Sequence, residues 1–306
     1  MNNVANKNLV WAAITAFYPN KFSFMKLIIS ITPQVDKILI LNNGGISYDI
    51  LANLSIIPNL EIHTFESNKG VAFALNYAFS LAAVSNIKFI ITFDQDSVPS
   101  SDFVKTLVDC HNLIIKVDKY PIGAIGPRIV DDRNKNFNYP FYKLKFHGFF
   151  REIINTHEPL FNVDLLITSG MLIPVSVWNY GIIFNNDLFI DFVDTDWCFS
   201  AIYNGFSLHC SYNSILFHNL SDSPPLKFLG LSFFSYNHTR RYYYFRNIIL
   251  FIVLPYVPVG YRFRVLVSGI IRFIFLPISD KSPFKSICSS IRGLFDGFWK
   301  IFFGSK

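Results

Sequence analysis

Along the first 120 residues, short apolar runs alternate with stretches in which apolar side chains recur every three or four positions. A parallel or mixed sheet flanked by helices requires that pattern. LVWAAITA (9–16) reads as a buried strand and residues 22–32 as a helix closed before Pro33. DKILILNN (36–43) and NLEIHTFES (59–67) are the next strands, and GVAFALNYAFSLAAV (70–84) is a helix. NIKFIITFDQD (86–96) is a strand ending in acids, followed by a helix over 101–118. Residues 131–160, rich in Asn, Lys, Tyr and Phe, read as a loop or irregular insertion. A second set begins at 161 with FNVDLLITSGMLIPVSVW, continues with FIDFVDTDWCFSAIYNGF (189–206) and closes on the strand-like SLHCSYNSILFHN (207–219). There is no internal repeat. The run IILFIVLPYVPVGY (248–261) carries no charge but stops after 14 residues at Arg262 and Arg264, whereas a spanning helix needs about 20. Arg272 and the prolines 255, 258 and 277 break up the remaining apolar pieces. These pieces read as interfacial helices whose arginines reach toward phosphate; the alternative is that they pack on the catalytic domain.

Charge sharpens the division. The net charge of +6 splits into 15 Lys/Arg against 19 Asp/Glu in residues 1–225, which is −4, and 12 against 2 in residues 226–306, which is +10. The basic tail is interleaved with Phe, Ile, Leu and Val, which favours an anionic membrane surface over nucleic acid. At 51% hydrophobic and 16% charged, with 34 Phe, the whole chain is more apolar than an average soluble domain. Its four cysteines, Cys110, Cys198, Cys210 and Cys288, form no CxxC pair. That argues against a disulfide framework or a thiolate zinc site and fits a reducing compartment. The first 20 residues show no export signal. Two segments are therefore expected: 1–225 as a catalytic domain, with a nucleotide half to about 130 and an acceptor half after it, and 226–306 as a basic, aromatic, helical membrane-interface region.

In open α/β sheets a ligand lies beyond the carboxyl ends of the strands, where Asn42, Asn43, Asn68, Asp94 and Asp96 fall. Residues i and i+2 of a strand point the same way, so Asp94 and Asp96 are expected to face one site and suit Mg²⁺ or Mn²⁺. Asp191, Asp194 and Asp196 place three carboxylates in six residues among Phe, Ile, Val and Trp. Burial of that many charges calls for a cation or a reactive role; an acid-rich helix N-terminus is the alternative. His218 follows the apolar run SILF and gains interest only alongside the carboxylates. Arg240, Arg241 and Arg246 lie among tyrosines in HTRRYYYFRN, a composition suited to clamping phosphates but equally to an RNA or membrane stripe.

Eight elements in order, AFYPN (16–20), LNNGG (41–45), NKGVAFALN (68–76), FDQDS (93–97), TSG (168–170), FIDFVDTDWCF (189–199), FHN (217–219) and RRYYYFRN (240–247), resemble the family-2 glycosyltransferases of the GT-A fold. Within them, the bacterial rhamnosyltransferases are the most similar. The resemblance implies an α/β fold, Rossmann-like in its nucleotide half. It implies that the first strand end with Tyr18, and Asn42, Asn43, Asn68, Gly70, Asp94, Arg240 and Arg241, bind the donor. Asp94, Asp96 and His218 would hold a divalent metal, Asp194 would be the catalytic base, and Asp191 and Asp196 would support it by orienting the acceptor or capping the following helix. Two departures stand out: Asn42 replaces the usual Asp that meets the pyrimidine, and Ser200 stands where relatives often have Arg.

The implied reaction is a single inverting displacement, with L-rhamnose passing from dTDP-L-rhamnose to a lipid-linked oligosaccharide of O-antigen or capsule. The implied place is the cytoplasmic face of the bacterial cell membrane. A UDP-hexose or UDP-N-acetylhexosamine transferase is the nearest alternative. An inactive basic adaptor is disfavoured by the intact carboxylates, and a dinucleotide oxidoreductase by the absence of G-x-G-x-x-G after any predicted strand.

Overall fold

The computed structural model describes residues 9–154, 156–218, 226–228, 231–233, 237–275, 277, 280 and 282–304. The elements in chain order are β1 (Val10–Ala16), α1 (Lys21–Ile31), β2 (Lys37–Asn42), α2 (Tyr48–Leu54), β3 (Leu60–Thr64), α3 (Gly70–Val84), β4 (Phe89–Asp94), β5 (Val98–Pro99) and α4 (Phe103–Ile114). Next are β6 (Ile122–Asp131), β7 (Asn134–Asn138), β8 (Phe141–Lys145), β9 (Phe150–Ile154), β10 (Leu160–Val163), β11 (Met171–Pro174), α5 (Val175–Asn179), α6 (Val193–Tyr203) and β12 (Ser207–Phe217). Helices α7 (His238–Ile252), α8 (Val259–Phe275) and α9 (Pro283–Phe303) come last. Asn219 of the FHN element and the expected boundary residue 225 lie outside the described residues.

The main sheet runs β10-β12-β6-β11-β4-β1-β2-β3. β1 is parallel to β2 and β4, β2 to β3, and β6 to β12, while β11 is antiparallel to both β4 and β6. The sheet is therefore mixed, with most carboxyl ends on one edge. Chain order reverses between β1 and β4, which places the ligand crevice of an open α/β sheet there. Strand pleating sorts the core into two layers. Ala12 and Ile14 face α1, α2 and α4 through Phe24, Ile28, Leu54 and Leu107. Trp11 and Ala13 face α3, α5 and α6 through Ala74, Ala78, Val175 and Trp197.

Two expectations are corrected here. The interval 131–160 is not a loop: the end of β6, β7 and the antiparallel β8–β9 pair occupy most of it. The fourth strand ends at Asp94, so Asp96 stands in a turn beyond it and no strand pleat aligns the two aspartates. Instead the turn does so, with the Ser97 hydroxyl donating to the Asp94 carbonyl at 2.9 Å. Helix α7 packs against α6. Its Tyr244, Phe245, Ile248 and Phe251 share one cluster with Phe199 of α6. Among the described residues no helix is long and apolar enough to cross a membrane.

Candidate active site

At the sheet edge, Ala16 pairs with Asn42, Asn42 with Thr64, and Thr15 with Asp94, so the ends of β1, β2, β3 and β4 are level. Gln95, between the two aspartates, clamps the turn after β1: its Oε1 accepts from the Phe17 N–H at 2.8 Å and its Nε2 donates to the Phe17 carbonyl at 3.2 Å. Tyr18 follows with φ 46° and is 71% exposed. Its ring lies where a Cβ on Gly45 would be, and Gly45 has φ +77°, so that position needs glycine.

The asparagines expected to bind donor are largely committed to shaping the pocket. Asn42 Oδ1 accepts from the Gly44 N–H at 2.9 Å and its Nδ2 donates to Thr64 Oγ1 at 3.2 Å. A second lone pair on Oδ1 remains for a pyrimidine N–H. Asn43 bridges to the start of α3, accepting from Lys69 N–H at 2.9 Å and donating to the Gly70 carbonyl at 3.3 Å. Asn68 Oδ1 accepts from Gly70 N–H at 2.9 Å. Gly70, at φ +84°, meets Phe189 so closely that a Cβ would lie 2.6 Å from the Phe189 carbonyl oxygen.

His218 arrives from β12, its N–H donating to the Val130 carbonyl at 3.0 Å, and is 5% exposed. Its Nε2 lies 3.5 Å from Asp94 and its Nδ1 3.6 Å from Asp96. The three expected metal ligands thus come together from two strands more than 100 residues apart in sequence. As placed they do not close into a cation cage, and no group of three His, Cys, Asp or Glu does so among the described residues. The donor types nonetheless fit a hard divalent cation: two carboxylates open to the cleft, and an imidazole whose buried Nδ1 has no hydrogen-bond partner. Behind them, Ser169 Oγ accepts from the Asp94 N–H at 3.3 Å and Gly170 N–H donates to the Thr92 carbonyl at 2.6 Å, which explains the TSG element.

The three acids of the second motif part ways. Asp194 lies in the first turn of α6, where the helix dipole favours a carboxylate. It accepts from the Thr195 N–H at 2.7 Å. Loss of hydration nevertheless dominates; with the nearby charges of Asp94 and Asp191 it pushes the carboxyl up to about 6. Asp194 is therefore near enough to Asp94 to feel its charge and has a proton affinity suited to a general base. Asp191 is held by Arg240, whose Nη2 and Nε reach Asp191 Oδ1 at 2.8 and 3.1 Å. Asp196 is 1% exposed and accepts from the Tyr256 hydroxyl at 2.8 Å. It ties α6 to the α7–α8 connection rather than facing an acceptor. Arg241 is likewise absent from the cleft: it is 2% exposed and pairs with Asp280 at 3.2 Å.

Several residues were missed by sequence reasoning. Asn76 closes the NKGVAFALN element, and its amide bonds the Phe184 backbone both ways, at 2.7 and 3.0 Å. Asn247 closes RRYYYFRN and donates to the Leu188 and Ile190 carbonyls at 2.5 and 2.6 Å. Each ends a motif with an asparagine, which was the available signal.

The fold with this edge is that of the GT-A glycosyltransferases. Staphylococcus aureus TarS 1-349 in complex with UDP-GlcNAc superposes with a TM-score of 0.60 at 13% identity, over 95% of this chain and 81% of that one. GalNAc-T7 with UDP, GalNAc and Mn²⁺ gives 0.58 at 12% identity, over 91% of this chain, which spans only 59% of GalNAc-T7. No protein-family model matches the chain. In sequence it is 25% identical over 289 residues to the dTDP-rhamnosyl transferase RfbF of Shigella flexneri, covering 94% of this chain and 95% of that protein. The chain thus has the GT-A fold, and in sequence it is similar to a dTDP-rhamnosyl transferase.

Proposed function

We propose that the protein transfers L-rhamnose from dTDP-L-rhamnose, with inversion, to a hydroxyl of a lipid-linked oligosaccharide in surface-polysaccharide synthesis. The observation that carries the enzymatic part is Asp194: a carboxylate at a helix N-terminus, raised to about 6 by burial and by the nearby Asp94 charge, with Asp94, Asp96 and His218 gathered at the strand edge. Asp194 accepts the acceptor hydroxyl's proton as the oxygen attacks the anomeric carbon, a contribution of typically 10²–10⁴-fold. The Asn68–Gly70 turn and the Tyr18–Gly45 contact frame the nucleotide side, and Asn42 offers its remaining carbonyl lone pair to the base. Asp94, Asp96 and His218 would hold Mg²⁺ or Mn²⁺, which when bound neutralises the departing diphosphate. The choice of rhamnose rests on the relative's name and on the FDQDS, FIDFVDTDW and RYYYFRN elements. A UDP-N-acetylhexosamine donor is the second reading, favoured by the UDP-GlcNAc complex of TarS. Turnover of a panel of nucleotide sugars by the purified chain separates them: rhamnose transfer from the dTDP donor is expected, and turnover with UDP donors alone overturns the first reading.

The proposed place of action is supported by α8 and α9. In α9, Phe284, Ile291, Phe295, Phe298 and Phe302 stand exposed at helical spacing, and Val259, Phe263, Ile270 and Ile274 do so on α8. Arg264, Lys285, Arg292 and Lys300 accompany them, whereas Arg262 turns back to the carbonyls of Leu254, Pro255 and Val257 and Arg272 lies over the Tyr244 ring. Exposed aromatic stripes with basic flanks suit an anionic bilayer surface, and we propose its cytoplasmic leaflet, as the family resemblance implies. Binding of the purified chain to anionic vesicles, weakened by salt, is the expected result.

A further inference from the structure

The segment from Leu188 to Phe192, which enters the helix carrying Asp194, has an unusual backbone. Phe189, Asp191 and Phe192 have φ of 59°, 61° and 65°, the left-handed region, although each has a Cβ. Little in the local sequence favours that conformation, since none of the three is glycine and two are phenylalanine. It persists because α7 grips it along one helical stripe, at positions 240, 243 and 247. Arg240 binds the Asp191 carboxylate, the Tyr243 ring stacks on Phe189 at 4.4 Å between centroids, and Asn247 reaches the backbone itself. The Asn247 amide nitrogen donates to the carbonyls of Leu188, Ile190 and Asp191 at 2.5, 2.6 and 3.2 Å, and the side chain is fully buried. Its oxygen accepts from Arg246 Nε and Nη2 at 3.1 and 2.9 Å, which fixes the amide with its N–H groups toward the loop. On the other side, the Phe189 carbonyl accepts from Val71 N–H at 2.8 Å at the start of α3.

We propose that Asn247 is a positioning residue for sugar transfer: it holds 188–191 in the left-handed course that sets where α6 begins and so where the Asp194 carboxylate points. This rests on the reading of Asp194 as the base. Three carbonyls converging on one amide leave no equivalent partner if that amide is removed, and the loop then relaxes toward ordinary backbone angles. Asp194 sits two residues beyond Phe192, so a relaxation of that kind moves the carboxylate by a distance that matters for a proton transfer. Donor affinity is expected to change far less, because Asn42, Asn68 and Asp94 are not among the partners of Asn247 and the loop reaches the donor side only through Phe189 at the Gly70–Val71 start of α3.

The test is a double-mutant cycle on the full chain with Asn247→Ala, Asp194→Asn and both, measuring kcat, donor affinity and the thermal midpoint. Expected for Asn247→Ala is a folded protein with donor affinity within about threefold of the parent and kcat lower by roughly 10- to 100-fold. In the Asp194→Asn background the same change should lower the residual kcat by less than about twofold, because a residue that acts through the base has nothing left to position. A purely structural role would lower kcat equally in both backgrounds, and that result overturns the proposal, as does unchanged kcat in Asn247→Ala. Should Asn247→Ala not fold, Asn247→Ser, which keeps one donor, takes its place in the cycle with the same criteria. Normal turnover in Asp194→Asn would instead remove the base reading, an outcome visible without the Asn247 variants.

Discussion

Helices α3 and α9 bury opposite kinds of side chain. In α3 the buried positions are Ala72, Ala74, Leu75, Ala78, Phe79 and Ala82, packed on the sheet, as expected for a helix whose apolar stripe faces a core. In α9 they are Ser286, Ser290, Gly293 and Gly297, while its phenylalanines face outward. Its small residues let it lie against α7: a Cβ on Gly297 would come within 2.8 Å of the Arg246 carbonyl oxygen, and one on Gly293 would run into that of Tyr242. One half of the molecule is organised around water outside and chemistry at the strand ends. The C-terminal helices instead turn apolar stripes outward, the face proposed above to meet an anionic bilayer. If that contrast is right, damage at the sheet edge should abolish turnover without touching location, and damage to the outer face of α9 should do the reverse.

The largest effect is expected at the edge. Asp194→Asn should lower kcat by about 10²–10⁴-fold with donor affinity nearly unchanged. Near-normal turnover would show that another group removes the proton. The same residue sets the pH dependence. A base works only when deprotonated, and with its carboxyl raised to about 6 the rate should fall on the acid side of that pH and level off above it. Asp196 is also raised to about 6 by burial, so Asp196→Asn is the control: it should leave the acid limb in place, since that carboxyl faces Tyr256 and not the cleft.

Next come the two faces of α9. Gly297→Leu inserts a side chain where backbone already lies and should destabilise the fold by about 1–3 kcal/mol, read in a denaturant midpoint. Phe295→Ser, at 63% exposure, should leave that midpoint almost unmoved and weaken vesicle binding by roughly tenfold or more, the effect of withdrawing one aromatic ring from an apolar phase. If instead Phe295→Ser destabilises the monomer or splits an oligomer and vesicle binding is unchanged, the outer stripe is a protein interface.

Much of this was legible in the chain because short-range periodicity carried it. The existence of β1 to β4 and the bounds of α3 follow from apolar runs punctuated by polar residues, whereas the grouping of His218 with Asp94 and Asp96 was implied only by the family resemblance. Other features depend on partners far away in sequence. The β8–β9 pair, FYKLK against FREII, is half-exposed or exposed at most positions, so it lacks the alternation that marks a strand with one buried face. Arg240 and Arg241 looked equivalent as neighbours, but successive helical residues point about 100° apart. One therefore meets the acid loop and the other the helical interior. No local rule foretells three left-handed residues without a glycine; that course is imposed by Asn247, more than fifty residues later.

The smallest effect is expected where the two halves touch by charge alone. Lys300 of α9 reaches Asp187, just before the acid loop, at 2.5 Å, with the two side chains 40% and 58% exposed. Water competes for both groups, and ordering a lysine side chain opposes the pairing, so such pairs contribute about 0–1 kcal/mol. Lys300→Ala should accordingly shift the denaturation midpoint by less than that and change kcat by less than about twofold. High salt should erase even this difference. The grip on the acid loop comes from α7, through Arg240, Tyr243 and Asn247, and α9 lies behind α7, where Asp296 accepts from the Tyr242 hydroxyl at 2.7 Å. A large loss of kcat in Lys300→Ala with the fold intact would mean that α9 acts on the loop directly, and the separation of chemistry from membrane contact drawn here would not hold.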